Sequence, residues 1–337
     1  MEEKAVEKVQ DEMRREDIPT LVVSKQSNIE YLTGITELSG VVVLHQDSFD
    51  ILASKFSRYS TRELSNIEVY TGGDEKEELL KEAGLGQDGF ADAPGRFENF
   101  DLNGSEVLEE ARKYKEGYEV KRIRRGCEIL SKSFRNLLSN FSPGMSEWEA
   151  VNQVDKTFRE EGVYHAFNPL VHSNVKEPHR HPSHEEIEKG DLFLVDQGCR
   201  VDNYCSDMTR MVPNHVEGER KDLIDTVSRI QKKLIAYVEP GIEASELAEY
   251  ARSMVEEQGF SVEKHFLHGV GHGVGIDIHE YPSIEAESDD LLEEGMVFTI
   301  EPGLYVPGVG GVRIEDSLVM KKEEAVRLTG EKRIYER

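Results

Sequence analysis

Cysteine is scarce in this chain. Cys127, Cys199 and Cys205 are the whole complement, with no Cys-x-x-Cys spacing, which excludes a disulfide scaffold and suits reduced thiols in a cytoplasmic protein. Positive charge is short as well. Forty-one Lys and Arg face 67 Asp and Glu, a net −26, so the surface repels phosphate backbones and anionic lipid, and neither nucleic acid nor membrane is an expected partner. Long apolar runs are missing: Val41–Leu44 and Leu192–Val195 stop far below the ~20 residues of a membrane span. The first residues, Met1–Glu16, mix Glu and Lys with Ala5, Val6 and Val9 in helical spacing. They lack the apolar stretch of a signal peptide, and cytoplasmic residence is expected.

What is present has the size of two domains, since 337 residues exceed the ~150 typical of one. The first third alternates β-rich runs (Thr20–Ser24, Gly40–Leu44, Ile51–Ala53, Ile67–Tyr70) with helical or polar stretches at Lys55–Leu64 and Asp74–Ala83, an α/β pattern. Leu102–Lys115 reads as a helical linker. A long amphipathic segment, Glu119–Phe141, ends at Ser142-Pro143-Gly144 and opens the second domain. Boundaries of 1–115 and 116–337 follow. Inside the second domain Pro143-Gly144, a helical pattern, Glu160 and Gly162 recur 97 residues later as Pro240-Gly241, a helix, Glu257 and Gly259, with Glu149 matched by Glu246. Strand-like segments follow each copy, at Phe167–His172 and Lys264–His268. An α+β domain of two similar halves is predicted.

Histidines are few, and most fall at 165–184 and 265–279. His268, His272 and His279 sit among glycines, where side chains have room to converge on a ligand. Carboxylates form a second group. Asp196 ends the apolar run Leu192–Val195, Asp207 opens another that reaches Val212, and the residues between, Gly198 to Asn203, can reverse the chain into a hairpin. Glu301 lies in Met296–Gly303 and Glu315 in Gly310–Val319. Singly each acid could face solvent. Four acids within apolar strands, with His272 between the pairs, demand cations nearby. The set is oxygen-rich and thiolate-free, suiting Mn, Co, Fe or Zn, and two divalent ions would balance four negative charges. Such a pair can hold a bridging water, lower its pKa and polarise a carbonyl, which implies hydrolysis.

Asp196, Asp207, His272 in Gly-His-Gly-Val-Gly, Glu301 in Glu-Pro-Gly-Leu-Tyr and Glu315 in Gly-Gly-Val-Arg-Ile-Glu-Asp resemble the five ligands of the M24 pita-bread metallopeptidases. Ser27–Gly34 resembles the creatinase-like N-terminal domain of Xaa-Pro aminopeptidases and dipeptidases. The resemblance implies an α/β creatinase-like domain followed by an α+β pita-bread catalytic domain with an internal pseudo-twofold repeat. It implies two divalent ions, manganese or cobalt ahead of zinc or iron, a proline-containing peptide substrate, and a homodimer in which the N-terminal domain borders the partner's site. By position, Asp196 would chelate one metal, Asp207 and Glu315 would bridge, and His272 with Glu301 would complete the other. Glu301 would take the proton of the bridging water. His179, His268 and His279 would line the substrate site, with His279 at the scissile carbonyl. Arg313 would hold a carboxylate or fix its neighbours, and Tyr305 is a weaker candidate.

Two departures from the family concern loops: the run 170–179 before His179, and Asn203 where a Gly usually precedes Tyr204. A third bears on substrate. Several dipeptidases of the family place an Arg four residues after the His equivalent to His279, whereas Ser283 stands there. A neutral hydroxyl anchors a C-terminal carboxylate more weakly than a guanidinium fork, favouring an aminopeptidase over a dipeptidase. Creatinases and non-catalytic pita-bread binding modules are the other readings, and both are expected to lack part of the ligand set.

Overall fold

The computed structural model describes residues 2–57, 67–85, 89–97, 100, 102–174 and 181–330. The chain divides into two units, Met1–Arg112 and Lys113–Arg337. The first contains α1 (Glu3–Arg15), β1 (Thr20–Val23), α2 (Gln26–Thr33), β2 (Gly40–His45), β3 (Phe49–Ser54), β4 (Ile67–Tyr70), α3 (Gly73–Glu82), β5 (Phe90–Ala91) and β6 (Asn103–Gly104), with α4 (Val107–Lys113) at its end. Its strands form one mixed sheet in the order β4-β3-β2-β1-β5-β6. The expected strands and the linker helix appear here. Of the stretch Lys55–Leu64, the part beyond Ser57 lies outside the described residues.

The second unit opens with α5 (Gly117–Asn140) and α6 (Glu147–Glu161). The first turn of α5 carries a reciprocal capping box between Glu116 and Glu119, which satisfies donors that a helix start leaves open. Val120, Ile123, Cys127, Leu130, Phe134 and Leu137 are buried along it at spacings of three and four, the stripe of one helix face. In α6, Ser146 and Glu149 form a second capping box, and Gly162, at φ 68°, ends the helix in the left-handed region that glycine adopts without strain.

Next come β7 (Tyr164–His165), β8 (Leu170–Ser173), β9 (Leu192–Val201) and β10 (Tyr204–Pro213). Strands β9 and β10 pair antiparallel over ten residues, and β7 and β8 both pair with β9. The hairpin is longer and its turn tighter than the sequence suggested. Gly198 to Val201 belong to the strand, and the reversal takes Asp202 and Asn203 alone, at φ 45° and 71°. Two successive left-handed residues match the twist of a tight hairpin, and Asn tolerates that conformation where most side chains do not. Asn203, expected as a departure in this loop, therefore sits in a tight left-handed reversal that its side chain tolerates.

The second half repeats the plan with α7 (Glu219–Tyr237), β11 (Ile242–Glu243), α8 (Ala244–Glu257), α9 (Val262–His265), β12 (Gly271–Gly273), β13 (Glu280–Ile284), β14 (Leu291–Leu292), β15 (Val297–Ile300), β16 (Gly303–Val306), β17 (Gly310–Arg313), β18 (Asp316–Met320) and β19 (Ala325–Arg327). A five-stranded sheet runs β13-β12-β15-β18-β19, and β16 pairs with β17. A long helix precedes a shorter one in both halves, but only the first copy has a side-chain cap: Glu243 replaces the capping serine, and Glu246 accepts instead from Tyr237 OH at 2.6 Å. The expected strand at Lys264–His268 is not formed. A single helical turn, α9, occupies its start, with the His265 amide bonded to Ser261 O and His265 Nδ1 accepting from the Ser261 amide. This local bonding outcompetes an extended chain. No helix of the described residues is long and apolar enough to cross a membrane.

Candidate metal centre

Register assembles the carboxylates. In the β9–β10 ladder Asp196 faces Thr209 and Asp207 faces Gly198, so both acids project from one side of the sheet as diagonal neighbours. The β15–β18 pairing and the turn after β17 bring up Glu301 and Glu315. His272 comes from β12, whose flanking Gly271 is required because a Cβ there would collide with the Thr299 carbonyl. Donor atoms of Asp207, His272 and Glu315 lie within 4.8 Å of one another. His272 Nε2 is 3.1 Å from Glu301 Oε1 and 3.8 Å from Asp207 Oδ2, and Arg313 Nη2 is 2.5 Å from Asp196 Oδ2. All five expected ligands therefore meet in one buried pocket.

Three of the acids each retain a buried oxygen without a hydrogen-bond partner: Asp196 Oδ1, Asp207 Oδ1 and Glu315 Oε1. Orphaned buried carboxylate oxygens are costly, and a divalent cation satisfies them. The donor set, four carboxylates and one imidazole, fits hard or borderline divalent ions. His272 Nδ1 lies 3.1 Å from Gly273 O; a proton held on Nδ1 by that carbonyl leaves Nε2 free to ligate, the usual arrangement of a metal-binding imidazole.

The electrostatics show the same crowding. Burial pushes Asp207 well above the ordinary carboxylate range, reinforced by the charges of Glu315, Asp196 and Glu301. Burial with the charges of Glu301 and Asp196 raises Glu315 to about 8. Asp196 is raised by burial, although Arg313 opposes the shift. Glu301 goes the other way: burial would raise it, but the hydrogen bond and charge of His272 bring it to about 2. For His272 burial alone would lower the value, and the bond to Glu301 raises it to about 9. Excess negative charge is thus taken up by protons, which a cation would replace.

Side chains two residues from the acids hold them in place. Thr209 Oγ1 donates to Glu315 Oε2 at 2.8 Å, and Thr299 Oγ1 donates to Glu301 Oε1 at 3.2 Å. Arg313 Nη1 donates to Tyr305 OH at 2.9 Å, and His268 Nε2 is 3.1 Å from the same hydroxyl. Arg313 is buried, so its guanidinium serves Asp196 and Tyr305 within the protein. Thr209 and Thr299 were not singled out from the sequence; their only signal was the strand period of two. His279 is exposed, its ring edge-on to His272 with centroids 4.2 Å apart. His179 lies outside the described residues.

Residues 121–322 match the family model described as metallopeptidase family M24, and residues 6–90 match the creatinase/prolidase N-terminal domain. The chain belongs to metallopeptidase family M24. It is therefore a peptidase that works with divalent metal, and its fold is the creatinase-like domain followed by the pita-bread domain. An Xaa-Pro dipeptidase of Pyrococcus horikoshii is 32% identical over 96% of this chain and 96% of its own length. The crystal structure of the prolidase from P. horikoshii superposes with a TM-score of 0.88 at 29% identity, covering 98% of this chain and 99% of that one. An X-Pro aminopeptidase from Thermotoga maritima gives 0.85 at 25% identity, covering 97% and 100%.

Proposed function

We propose that this M24 enzyme is a dinuclear exopeptidase that hydrolyses Xaa-Pro bonds and prefers peptides continuing beyond the proline. The observation that carries the metal chemistry is the convergence of Asp196, Asp207, His272, Glu301 and Glu315 around orphaned carboxylate oxygens. Two divalent ions held there, manganese or cobalt first, supply Lewis acidity and lower the pKa of water. Asp207 and Glu315 would be the ligands shared by the two ions, Asp196 would serve one of them, and His272 with Glu301 the other. Glu301 receives the proton of the attacking water. His279, exposed next to His272, donates to the oxygen on which negative charge develops. His268, carried with Tyr305 and Arg313 on one chain of contacts, faces the substrate; a substrate role is also proposed for His179, which lies outside the described residues. A homodimer in the cytoplasm completes this reading, in keeping with three reduced, buried thiols.

Preference for longer peptides rests on Ser283. It pairs with His272 across the β12–β13 ladder, which puts both side chains on one face of the sheet. Its hydroxyl donates to Glu285 Oε1 at 2.5 Å, so this position offers a carboxylate rather than a guanidinium to a free C-terminus. The relatives named Xaa-Pro dipeptidase favour the second reading, a dipeptidase. The test is kcat/KM for Ala-Pro against Ala-Pro-Ala with the same metal. The tripeptide is expected to be the better substrate, and a clear dipeptide preference overturns the assignment. A third reading, a non-catalytic binding module, has no support in a ligand set that is complete.

A further inference from the structure

Glu280 follows His279, and the turn before it is wrapped around its carboxylate. The Asp277 amide donates to Glu280 Oε2 at 3.3 Å, and a Cβ on Gly275 would overlap the carboxylate, so only glycine admits it there. Lys115 Nζ lies 2.7 Å from Glu280 Oε1, with side chains only 1% and 9% exposed. This is an ion pair inside the protein, 165 residues apart in sequence. Lys115 is itself held. Its amide donates to Gly295 O at 2.8 Å, Tyr114 forms a β-bridge with Met296, and Lys115 Nζ donates to Lys113 O at 3.3 Å. Lys113 Nζ is 3.0 Å from Asp290 Oδ1 and stands 5.0 Å from the Tyr281 ring centroid. Tyr114 OH donates to Glu293 Oε2 at 2.5 Å.

The segment 113–115 is therefore seated along the stretch that runs from His279 to β15. We infer that Lys115 is a positioning residue for His279, acting through Glu280. This inference rests on the assignment of His279 to the developing charge at the scissile carbonyl. The His279 ring, edge-on to His272, follows the backbone beneath it, and that backbone turns around a buried carboxylate. With Lys115 gone, the carboxylate loses the counter-charge 2.7 Å from its Oε1 in a low-dielectric setting and draws water or a new partner, moving the turn. Displacements near 1 Å at a reacting group cost about 10²-fold in rate.

The experiment is a double-mutant cycle on the metal-loaded enzyme, reading kcat, KM and metal content. Lys115→Met is expected to lower kcat about 10- to 100-fold with KM within ~3-fold and metal unchanged, and Lys115→Arg to recover most of it. In a His279→Ala background Lys115→Met is expected to cost less than ~2-fold, because the ring it positions is already absent. Glu280→Asp keeps the charges balanced but shortens the link by one methylene. It is expected to reproduce the kcat loss at an unchanged melting temperature, and it carries the test if Lys115→Met does not fold. Equal losses in both backgrounds, or wild-type kcat in Lys115→Met or Glu280→Asp, overturn the inference. Wild-type kcat in His279→Ala alone overturns the role of His279 instead, so the two failures are separable.

Discussion

Loading metal into the metal-free enzyme should expel protons, in a number the pocket already fixes. His272 titrates at about 9 and Glu315 at about 8, so at pH 7 they hold roughly 0.99 and roughly 0.9 of a proton respectively. Ligation requires the deprotonated forms. The expected release at pH 7 from these two groups is therefore about two protons per chain. Apparent affinity should fall about 100-fold when the pH drops from 7 to 6, since each released proton contributes a factor of ten. Near pH 10 both groups are largely deprotonated and the release should fall to a small fraction of one proton. Calorimetric titration with Mn(II) in two buffers of different ionisation enthalpy counts the protons directly. Release below one proton at pH 7, or an affinity that is flat from pH 6 to 8, would show that the pocket is not the cation site argued above.

Asp207→Asn and Glu315→Gln should each abolish turnover and reduce bound metal below that of the wild type by elemental analysis. The metal-free fold should stay intact or grow firmer, because an amide cannot ionise at a site where burial disfavours the charge; undiminished metal in either variant rejects the bridging roles. The metal-free protein should lose melting temperature between pH 6 and 9. Below pH 6.5 the His272 contribution is whole, and it fades as pH rises through about 9; the penalty of ionising Glu315 grows from the unfolded value of 4.5 up to about 8, so both signs agree. A melting temperature rising with pH in the presence of chelator contradicts this. Arg210→Met should destabilise by about 1.5–3 kcal/mol in urea unfolding, because it removes one charged partner of the buried Asp316 carboxylate, which keeps Gln231, Thr329 and, at 3.5 Å, Arg327. That carboxylate is fully buried 2.8 Å from Arg210 Nη2, and the same guanidinium holds the carbonyls of Thr209 and Glu315. A loss below 1 kcal/mol, or no recovery on adding Asp316→Asn, rejects it.

Much of this was legible in the sequence because the proposed metal ligands lie in short runs whose neighbours declare a strand. An acid that ends or interrupts an aliphatic run, as Asp196 and Glu301 do, is conspicuous for the cost of burying it. The hairpin of Asp196 and Asp207 could be foreseen from their separation, but its register could not. Asp196 faces Thr209 because the turn takes two residues; a turn of six would set it opposite Cys205, and nothing in the run Gly198 to Asn203 fixes that count. The helper hydroxyls of Thr209 and Thr299 were silent, since threonine in a strand is unremarkable until its partner is known. Lys115 was silent for a different reason: its meaning comes from Glu280, brought near by tertiary packing. The strand expected at Lys264–His268 failed because the apolar residues there also suit a loop after one helical turn.

The two-residue turn at Asp202 and Asn203 makes the β9–β10 hairpin a reading frame. Side chains alternate between faces, so adding or deleting one residue in either strand between Asp196 and Asp207 would transpose one acid to the opposite side of the sheet. Every ligand would still be present in the sequence and the centre would be gone. Pairs of residues added symmetrically would instead lengthen the hairpin while leaving parity intact. Parity in this segment is therefore a sharper criterion than ligand identity for judging whether a variant of this hairpin can still assemble the centre.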